Sequence, residues 1–174
     1  MKRNVMTGVV LAGIVGLLTL FAMPQYRQGE PSPAGKVAKN FLLQLDGRAI
    51  RLNDLRGKLV VLNFWATWCP PCVAETPSLN HLQAWLAPRG GMVLGVSEDA
   101  DENAYAAFLP QNAVAFPTWR DPSLAVAASY GTTVYPETYI IDAHGRIQRK
   151  IIGPQEWDSP DMLAYFQSLL GRNP

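Results

Sequence analysis

The sequence contains very little cysteine: only Cys69 and Cys72, among 174 residues, have thiol side chains. A small secreted fold that depends on disulfides for stability needs several cysteines spread along the chain, so that class is excluded. A bridge across two intervening residues would also remove little entropy from the unfolded chain. The two cysteines therefore indicate chemistry rather than structural stabilisation.

The chain also lacks an excess of either charge, and it has only two histidines. Its 15 basic and 14 acidic residues give a formal net charge of +1, and no basic patch is interleaved with aromatic residues. This balance argues against a nucleic-acid partner. His81 and His144 do not stand at a zinc-ligand spacing, so no metal site is predicted. We expect His81 on the surface of a helix and His144 in a turn.

The sequence has a single long apolar run, Val5–Met23, which follows a pair of basic residues. A run of about 20 apolar residues can cross a bilayer as a helix, and the preceding positive charges favour a cytoplasmic N-terminus. Residues 1–23 are therefore predicted to be a single-pass transmembrane anchor, with a cleaved signal peptide as the alternative. The polar residues 24–36 are predicted to be a flexible linker, and residues 37–174 a domain outside the cytoplasm.

The first half of the domain has the pattern of a β-hairpin followed by a β-α-β unit. Alternating apolar residues flank Asp46-Gly47, which is a strong hairpin signal. Lys58–Trp65 is nearly continuously apolar, as expected of a central strand buried on both faces. A helix kinked at Pro77 is predicted after Cys69. Met92–Val96 is then a second buried strand, parallel to the first.

The second half predicts two short helices, a second hairpin and a final helix. The first helix spans Asp101–Leu109 and is closed by the proline that follows. The second begins at an N-cap, Asp121, and ends at Gly131. A hairpin around His144-Gly145 and a helix over residues 160–170 complete the chain. This order of elements predicts an α/β domain.

Both cysteines lie in Trp65-Ala66-Thr67-Trp68-Cys69-Pro70-Pro71-Cys72, where the buried strand meets the first long helix. A cysteine at a helix N-cap faces unpaired N–H groups and the positive end of the helix dipole, which stabilise a thiolate. Cys69 is therefore predicted to be the exposed nucleophile, and Cys72 to attack the mixed disulfide from one turn inside. Pro70 and Pro71 fit the first turn, where a missing N–H costs little.

This pattern resembles the thioredoxin superfamily, and the longer segment Asn63–Glu75 resembles its TlpA/ResA/CcmG branch. The resemblance covers Val37–Leu170 and includes the segment Asp101–Trp119, which the branch inserts into the basic fold. It implies a thioredoxin-like α/β fold with an N-terminal β-hairpin and a central insertion. Members of the branch are membrane-tethered oxidoreductases, so the expected location is the bacterial inner (cytoplasmic) membrane with the catalytic domain on the periplasmic side.

The resemblance also implies a substrate-binding surface beside the cysteines. Pro136 matches the cis-proline of the family, and a cis bond there exposes the backbone of Tyr135 for pairing with an extended substrate segment. Trp68 is expected to form an apolar docking rim, whereas Trp65 is expected in the core. The expected substrate-binding residues are Trp68, Pro70, Pro71, Tyr135 and Pro136.

Asn63 occupies the position at which ordinary thioredoxins place a buried acid that takes a proton from the inner thiol. Glu75, three residues after Cys72 on the same helix face, is the candidate replacement. The alternative is that Glu75 only complements the helix N-terminus. Glu137, next to the expected cis-proline, has two interpretations: it selects partners, or it is a solvated surface residue.

The expected activity is thiol–disulfide exchange with a redox-active disulfide, Cys69–Cys72, and no other cofactor. Disulfide-containing proteins are the expected partners, with apocytochrome c favoured, and a transmembrane thiol donor would re-reduce the pair in a monomeric enzyme. A general periplasmic disulfide reductase or oxidase is the alternative. Two alternatives from other classes are a copper metallochaperone, which needs a third ligand near the cysteines, and a peroxiredoxin, whose threonine and proline spacing is missing.

Overall fold

The structure, a computed structural model, describes residues 33–45 and 47–171. The anchor predicted over residues 1–23 lies outside this range and stays a prediction. No helix within the described ranges is long and apolar enough to span a membrane. Gly35 and Lys36, assigned by sequence to the linker, already exchange backbone hydrogen bonds with Ile147 at 2.7 and 2.9 Å, so hydrogen bonding to the domain begins slightly earlier than predicted.

A five-stranded mixed sheet forms the centre of the domain, in the order β5-β4-β3-β6-β7. Strands β4 and β5 run parallel to β3, whereas β6 runs antiparallel to β3 and β7 antiparallel to β6. All seven residues of β3 are buried, which confirms the central strand predicted from its apolar sequence. The strands are β3 (Leu59–Trp65), β4 (Gly91–Ser97), β5 (Thr118–Arg120), β6 (Glu137–Ile141) and β7 (Ile147–Ile152).

The predicted N-terminal hairpin forms a separate two-stranded sheet, β1 (Leu42–Leu45) and β2 (Arg48–Arg51). Its turn uses Gly47 at a φ of 73°, a backbone conformation that glycine adopts readily. A 3₁₀ turn, Leu52–Leu55, follows directly. Asp54 fixes this turn by accepting a hydrogen bond from the Arg51 backbone N–H at 2.7 Å.

Layers of structure cover both faces of the central sheet. The helices α1 (Pro70–Leu86) and α4 (Pro160–Leu170) pack on one face through apolar residues that include Leu82 and Phe166. The hairpin and the short helix α3 (Ala125–Tyr130) pack on the other face. Because alternate residues of a buried strand point to opposite faces, β3 contributes to both apolar clusters. This arrangement is the predicted thioredoxin-like α/β fold.

Two predicted helix boundaries in the insertion and after it were wrong, and one strand was missed. The helix α2 (Glu102–Gln111) continues through its proline, because a proline in the last turn removes only one intrahelical bond and Asn112 closes the turn onto the Phe108 carbonyl. The strand β5 was not predicted. Asp121 is not the N-cap residue, because α3 begins at Ala125 and Leu124 is its N-cap. The Asp121 carboxylate accepts hydrogen bonds from the Ser123 N–H at 3.2 Å and from the Val126 N–H, in the first turn of α3, at 2.8 Å.

Candidate active site

The two cysteines form a disulfide at the N-terminus of α1. Cys69 is the N-cap residue, as predicted, and its sulfur accepts a hydrogen bond from the Cys72 N–H at 3.3 Å. Pro70 and Pro71 occupy the first two helical positions. The N–H of Cys72 therefore already points at the sulfur that would carry negative charge after reduction.

Both cysteines are buried, although Cys69 was predicted to be exposed. Cys69 is 5% exposed and Cys72 is 1% exposed, so Cys69 is the outer residue but is not open to solvent in the disulfide form. The cluster that contains the pair also packs against Tyr105, Phe108 and Tyr135. Tyr105 and Phe108 reach this cluster through Trp65, whose ring they meet at 6.2 and 5.5 Å.

The two tryptophans of the motif have different environments. Trp65 is buried, its indole N–H donates to the Thr118 hydroxyl at 3.2 Å, and its ring packs against Phe108, which confirms the core prediction. Trp68 is 60% exposed and meets the Tyr135 ring edge-to-face at 5.9 Å. An exposed aromatic pair next to the disulfide suits contact with a polypeptide partner.

The Tyr135–Pro136 peptide bond is cis, as predicted. Pro136 is buried, and its carbonyl accepts a hydrogen bond from the Gly153 N–H at 2.9 Å. Tyr135 is half-buried, and burial, followed by the negative charges of Glu98, Glu137 and Asp121, raises the pKa of its hydroxyl. Tyr135 of the cis-proline loop therefore meets the exposed Trp68 and lies within electrostatic range of three acidic side chains.

Glu75 is buried among three hydrogen-bond donors. One carboxylate oxygen accepts from the Asn63 amide at 2.9 Å, and the other from the Trp157 indole at 2.9 Å and the Gln155 N–H at 3.2 Å. Burial raises the pKa of Glu75, and the three hydrogen bonds partly offset that rise. All three donors lie outside α1, so this carboxylate does more than complement the N-terminus of its own helix.

Asn63 links Glu75 to the neighbouring strand. Its amide group donates both to Glu75 and to the Thr138 hydroxyl at 2.9 Å, while its carbonyl oxygen has no hydrogen-bond partner among the described residues. The side chain beside Glu75 is therefore a neutral amide and not a second carboxylate. A groove of about 470 Å³ borders Glu75 and is also lined by Gln155.

The run Ser97-Glu98-Asp99, at the carboxyl end of β4, was not predicted to belong to the site. Asp99 holds the redox turn, because it accepts hydrogen bonds from the Thr67 N–H at 3.0 Å and from the Thr67 hydroxyl at 2.6 Å. Glu98 is 4% exposed, and neither of its carboxylate oxygens has a hydrogen-bond partner within the described ranges. Burial, with smaller contributions from Asp121 and Asp99, raises the pKa of Glu98 to about 8. Acidic residues directly after a buried parallel strand were the available signal.

Glu137 is not the solvated surface residue that one interpretation predicted. It is buried, because β6 lies between two other strands, and its carboxylate accepts from the Thr132 hydroxyl and the Tyr139 hydroxyl, each at 2.6 Å. The Lys150 ammonium group lies 3.2 Å from the same oxygen. This ion pair satisfies the buried charge, so that interpretation of Glu137 was wrong.

The histidines lie where the sequence placed them. His81 is an exposed residue of α1 and pairs with Asp158 at 2.8 Å, and His144 is exposed in the turn between β6 and β7. In the part of the chain that the structure describes, no group of three or more histidine, cysteine or acidic side chains is arranged to hold a metal ion.

A thioredoxin-like fold with a disulfide at a helix N-terminus and a cis-proline loop beside it defines a protein that exchanges disulfides. Residues 34–150 match the AhpC/TSA family. The chain is 35% identical over 161 residues to the thiol-disulfide oxidoreductase ResA of Bacillus thuringiensis (strain Al Hakam), covering 89% of this chain and 92% of the relative. It is 37% identical over 138 residues to ResA of Halalkalibacterium halodurans, covering 79% and 77% of the two chains.

Solved structures agree with these relatives. One described as a candidate thiol:disulfide interchange protein DsbE from Chlorobium tepidum superposes with a TM-score of 0.74 at 30% identity, covering 79% of this chain and 98% of that one. The structure of a secreted thiol-disulfide isomerase from Corynebacterium glutamicum superposes with a TM-score of 0.69 at 28% identity, covering 78% of this chain and 86% of that one. The chain belongs to the AhpC/TSA family, and it is a thiol–disulfide oxidoreductase of the ResA/DsbE type.

Proposed function

We propose that this protein is a disulfide reductase held in the bacterial inner (cytoplasmic) membrane by residues 1–23, with its domain on the periplasmic side. Its favoured substrate is apocytochrome c, whose haem-binding cysteines must be thiols before haem is attached. The names of the ResA and DsbE relatives support this assignment. The single structural observation that carries it is Cys69 as N-cap of α1, bonded to Cys72.

The proposed cycle begins with the reduced pair. The Cys69 thiolate attacks one sulfur of a partner disulfide, the partner S–S bond breaks, and the released partner thiolate takes a proton from water. The Cys72 thiol then loses its proton and attacks Cys69, which breaks the mixed disulfide and releases the second partner sulfur. Two electrons have passed to the partner, and the enzyme is left in the disulfide state seen in the structure. A transmembrane thiol donor returns the two electrons.

Glu75 is the proposed acceptor of the Cys72 proton. A buried carboxylate with a raised pKa exchanges protons nearer to neutral pH than an exposed one. The neutral Asn63 amide keeps a second negative charge away from it. The groove beside Gln155 gives a route for the proton to reach solvent.

The partner is proposed to bind across Trp68, Tyr135 and Pro136, which we call the docking face. The exposed ring of Trp68 supplies apolar contact, and its edge-to-face packing on Tyr135 limits its freedom. An extended segment of the partner would pair with the backbone of Tyr135 by strand addition. Binding in this way brings the disulfide of the partner to Cys69.

Trapping the mixed disulfide tests the proposal. The full chain with Cys72→Ser, expressed in cells that make cytochrome c, should accumulate as a species linked through Cys69 to apocytochrome c. Cys69→Ser is the matched control, because it keeps one thiol in the same turn but lacks the nucleophile. An array of unrelated envelope proteins would favour the general reductase or oxidase, and equal trapping by both variants would contradict the proposed roles.

A further inference from the structure

Glu98 lies next to the redox turn although it takes no part in the cycle described above. Ser97 is paired with Trp65 on β3, so the following residue, Glu98, lies beside Ala66, three positions before Cys69. The Glu98 N–H donates to the Trp65 carbonyl at 2.9 Å, which extends the pairing of the two strands by one step. The backbone of Glu98 is therefore held at the end of β3 and β4 from which the redox turn begins.

The surroundings of Glu98 contain acids but supply no donor to it. It is 4% exposed, and neither carboxylate oxygen has a hydrogen-bond partner among the described residues. Its two acidic neighbours do have hydrogen-bond donors. Asp99 accepts a hydrogen bond from the Ser97 hydroxyl at 2.7 Å, and Asp121 accepts one from the Val126 N–H at 2.8 Å. A buried carboxylate without donors is far more costly when charged than when neutral.

The basic side chains near this acidic set are engaged elsewhere. Arg120 donates to the carbonyls of Asp99 and Ala100 at 3.3 and 3.2 Å and pairs with Glu102 at 3.0 Å. The groups that interact electrostatically with Glu98 are Asp99 on its own strand end, Asp121 after β5, and the Tyr135 hydroxyl. None of them carries positive charge, so Glu98 keeps its proton at neutral pH.

Tyr135 connects Glu98 to the docking face. Tyr135 packs against the cluster that contains Trp65 and Ala66, which is the strand end to which the Glu98 N–H is hydrogen-bonded. Its ring also meets the exposed Trp68 at 5.9 Å. An ionised Glu98 could regain hydration only by moving towards solvent or by admitting water. Either change would disturb the end of β3 and β4, where Trp65 and Ala66 form part of the cluster against which Tyr135 packs.

We infer that the neutral carboxyl group of Glu98 is a positioning element of the docking face, and that loss of its proton weakens the binding of protein partners. The inference deepens the proposed function, because it rests on Tyr135 and Trp68 as the surface that partners contact. Glu98 itself contacts neither the partner nor the cysteines. The proton passes to water, and no electron moves.

The test measures partner binding by the pre-reduced full chain at pH 7 and pH 9. Oxidised insulin is the protein substrate in single-turnover reactions followed by tryptophan fluorescence, and the half-saturating insulin concentration is the readout. One unit above its pKa, about a tenth of Glu98 stays neutral, so this concentration should rise about tenfold for the wild type relative to Glu98→Gln. Glu98→Met is a second variant that also cannot ionise, in case the glutamine is poorly accommodated.

Two controls separate binding from chemistry. Glu102→Gln removes a carboxylate whose side chain is 78% exposed and should follow the wild type. Ellman's reagent, a small disulfide that needs no docking face, should show the same ratio of wild-type to Glu98→Gln rates at both pH values.

Parallel insulin curves for the wild type and both Glu98 variants would overturn the inference. A wild-type difference that appears equally with Ellman's reagent would also overturn it, because Glu98 would then act on the cysteines. The proposed substrate is tested separately, since insulin reduction requires only the thiol–disulfide activity. Failure to trap apocytochrome c leaves these outcomes unchanged.

Discussion

Replacing Glu98 by Gln should remove a pH dependence from the folding stability of the protein. In the folded chain Glu98 keeps its proton up to a pKa of about 8, whereas its ordinary value is 4.5. Between these two values the folded state binds one proton more than the unfolded state. The free energy of unfolding therefore falls as pH rises through this window, and the loss is complete near pH 8.

The size of the effect follows from the same two values. Each pH unit within the window costs about 1.4 kcal/mol, so a rise of 3.5 units, from 4.5 to about 8, sets a ceiling of about 5 kcal/mol. Entry of water and local movement around an ionised Glu98 would relieve part of this cost. We therefore expect the wild type to lose about 2–4 kcal/mol more than Glu98→Gln between pH 5 and pH 8.

Urea unfolding of the oxidised full chain, followed by tryptophan fluorescence at pH 5, 6, 7 and 8, measures this loss. The wild-type midpoint should fall by about 1–2 M urea relative to the variant across the series. The slope against pH is the test, because the amide that Glu98→Gln introduces has unmet hydrogen bonds of its own that lower stability equally at every pH. Superimposable slopes would show that Glu98 ionises normally in the folded protein, and that burial without hydrogen-bond donors does not hold its proton.

Three further predictions concern the site and the sheet beneath it. Glu75→Gln should slow resolution of the mixed disulfide about 10²-fold and flatten its pH profile in stopped-flow measurements between pH 5 and 9, because the proton acceptor is lost; an unchanged profile would contradict the proposed role. Trp68→Ala should raise the half-saturating insulin concentration about 5–30-fold through lost aromatic contact, and an equal effect on Ellman's reagent would argue against docking. Gly95→Ala should lower the free energy of unfolding by about 2–3 kcal/mol, because the added Cβ would lie 2.7 Å from the Thr118 hydroxyl oxygen; wild-type stability in urea would show that the sheet adapts.

The central architecture was predictable because its signals are local and strong. Continuous apolar sequence marks β3 and β4 as buried strands, and the helical crossover between them requires parallel pairing. The position of Cys69 followed from the strand-to-helix junction alone. The cis bond before Pro136 followed from the family resemblance and from its place before the final hairpin.

The missed features depend on contacts between distant parts of the chain. The strand β5 has three residues and is defined by its pairing with β4, so it is too short to show an alternation of apolar and polar residues in the sequence. Trp157 donates to Glu75 across 82 positions, and nothing around Trp157 in the sequence indicates that partner. Asp121 has the sequence of a helix cap, but α3 begins only at Ala125, and the carboxylate reaches the Val126 N–H of its first turn across an intervening loop, so the local signal placed the start of the helix too early.

The two buried glutamates beside the disulfide have opposite surroundings, and this difference separates their roles. Glu75 has three donors and borders a groove, so its charged form is supported and its proton has a route to solvent. Glu98 has no hydrogen-bond donor among the described residues. Burial and the negative charges of Asp121 and Asp99 therefore both disfavour its charged form. The proposed proton acceptor must gain and lose a proton in each cycle, so its charged form needs support, and of these two carboxylates Glu75 has the hydrogen-bond donors that supply it. A carboxyl group that must stay neutral to hold the docking face in place needs an ionised form of high free energy, and the buried position of Glu98 without donors provides this.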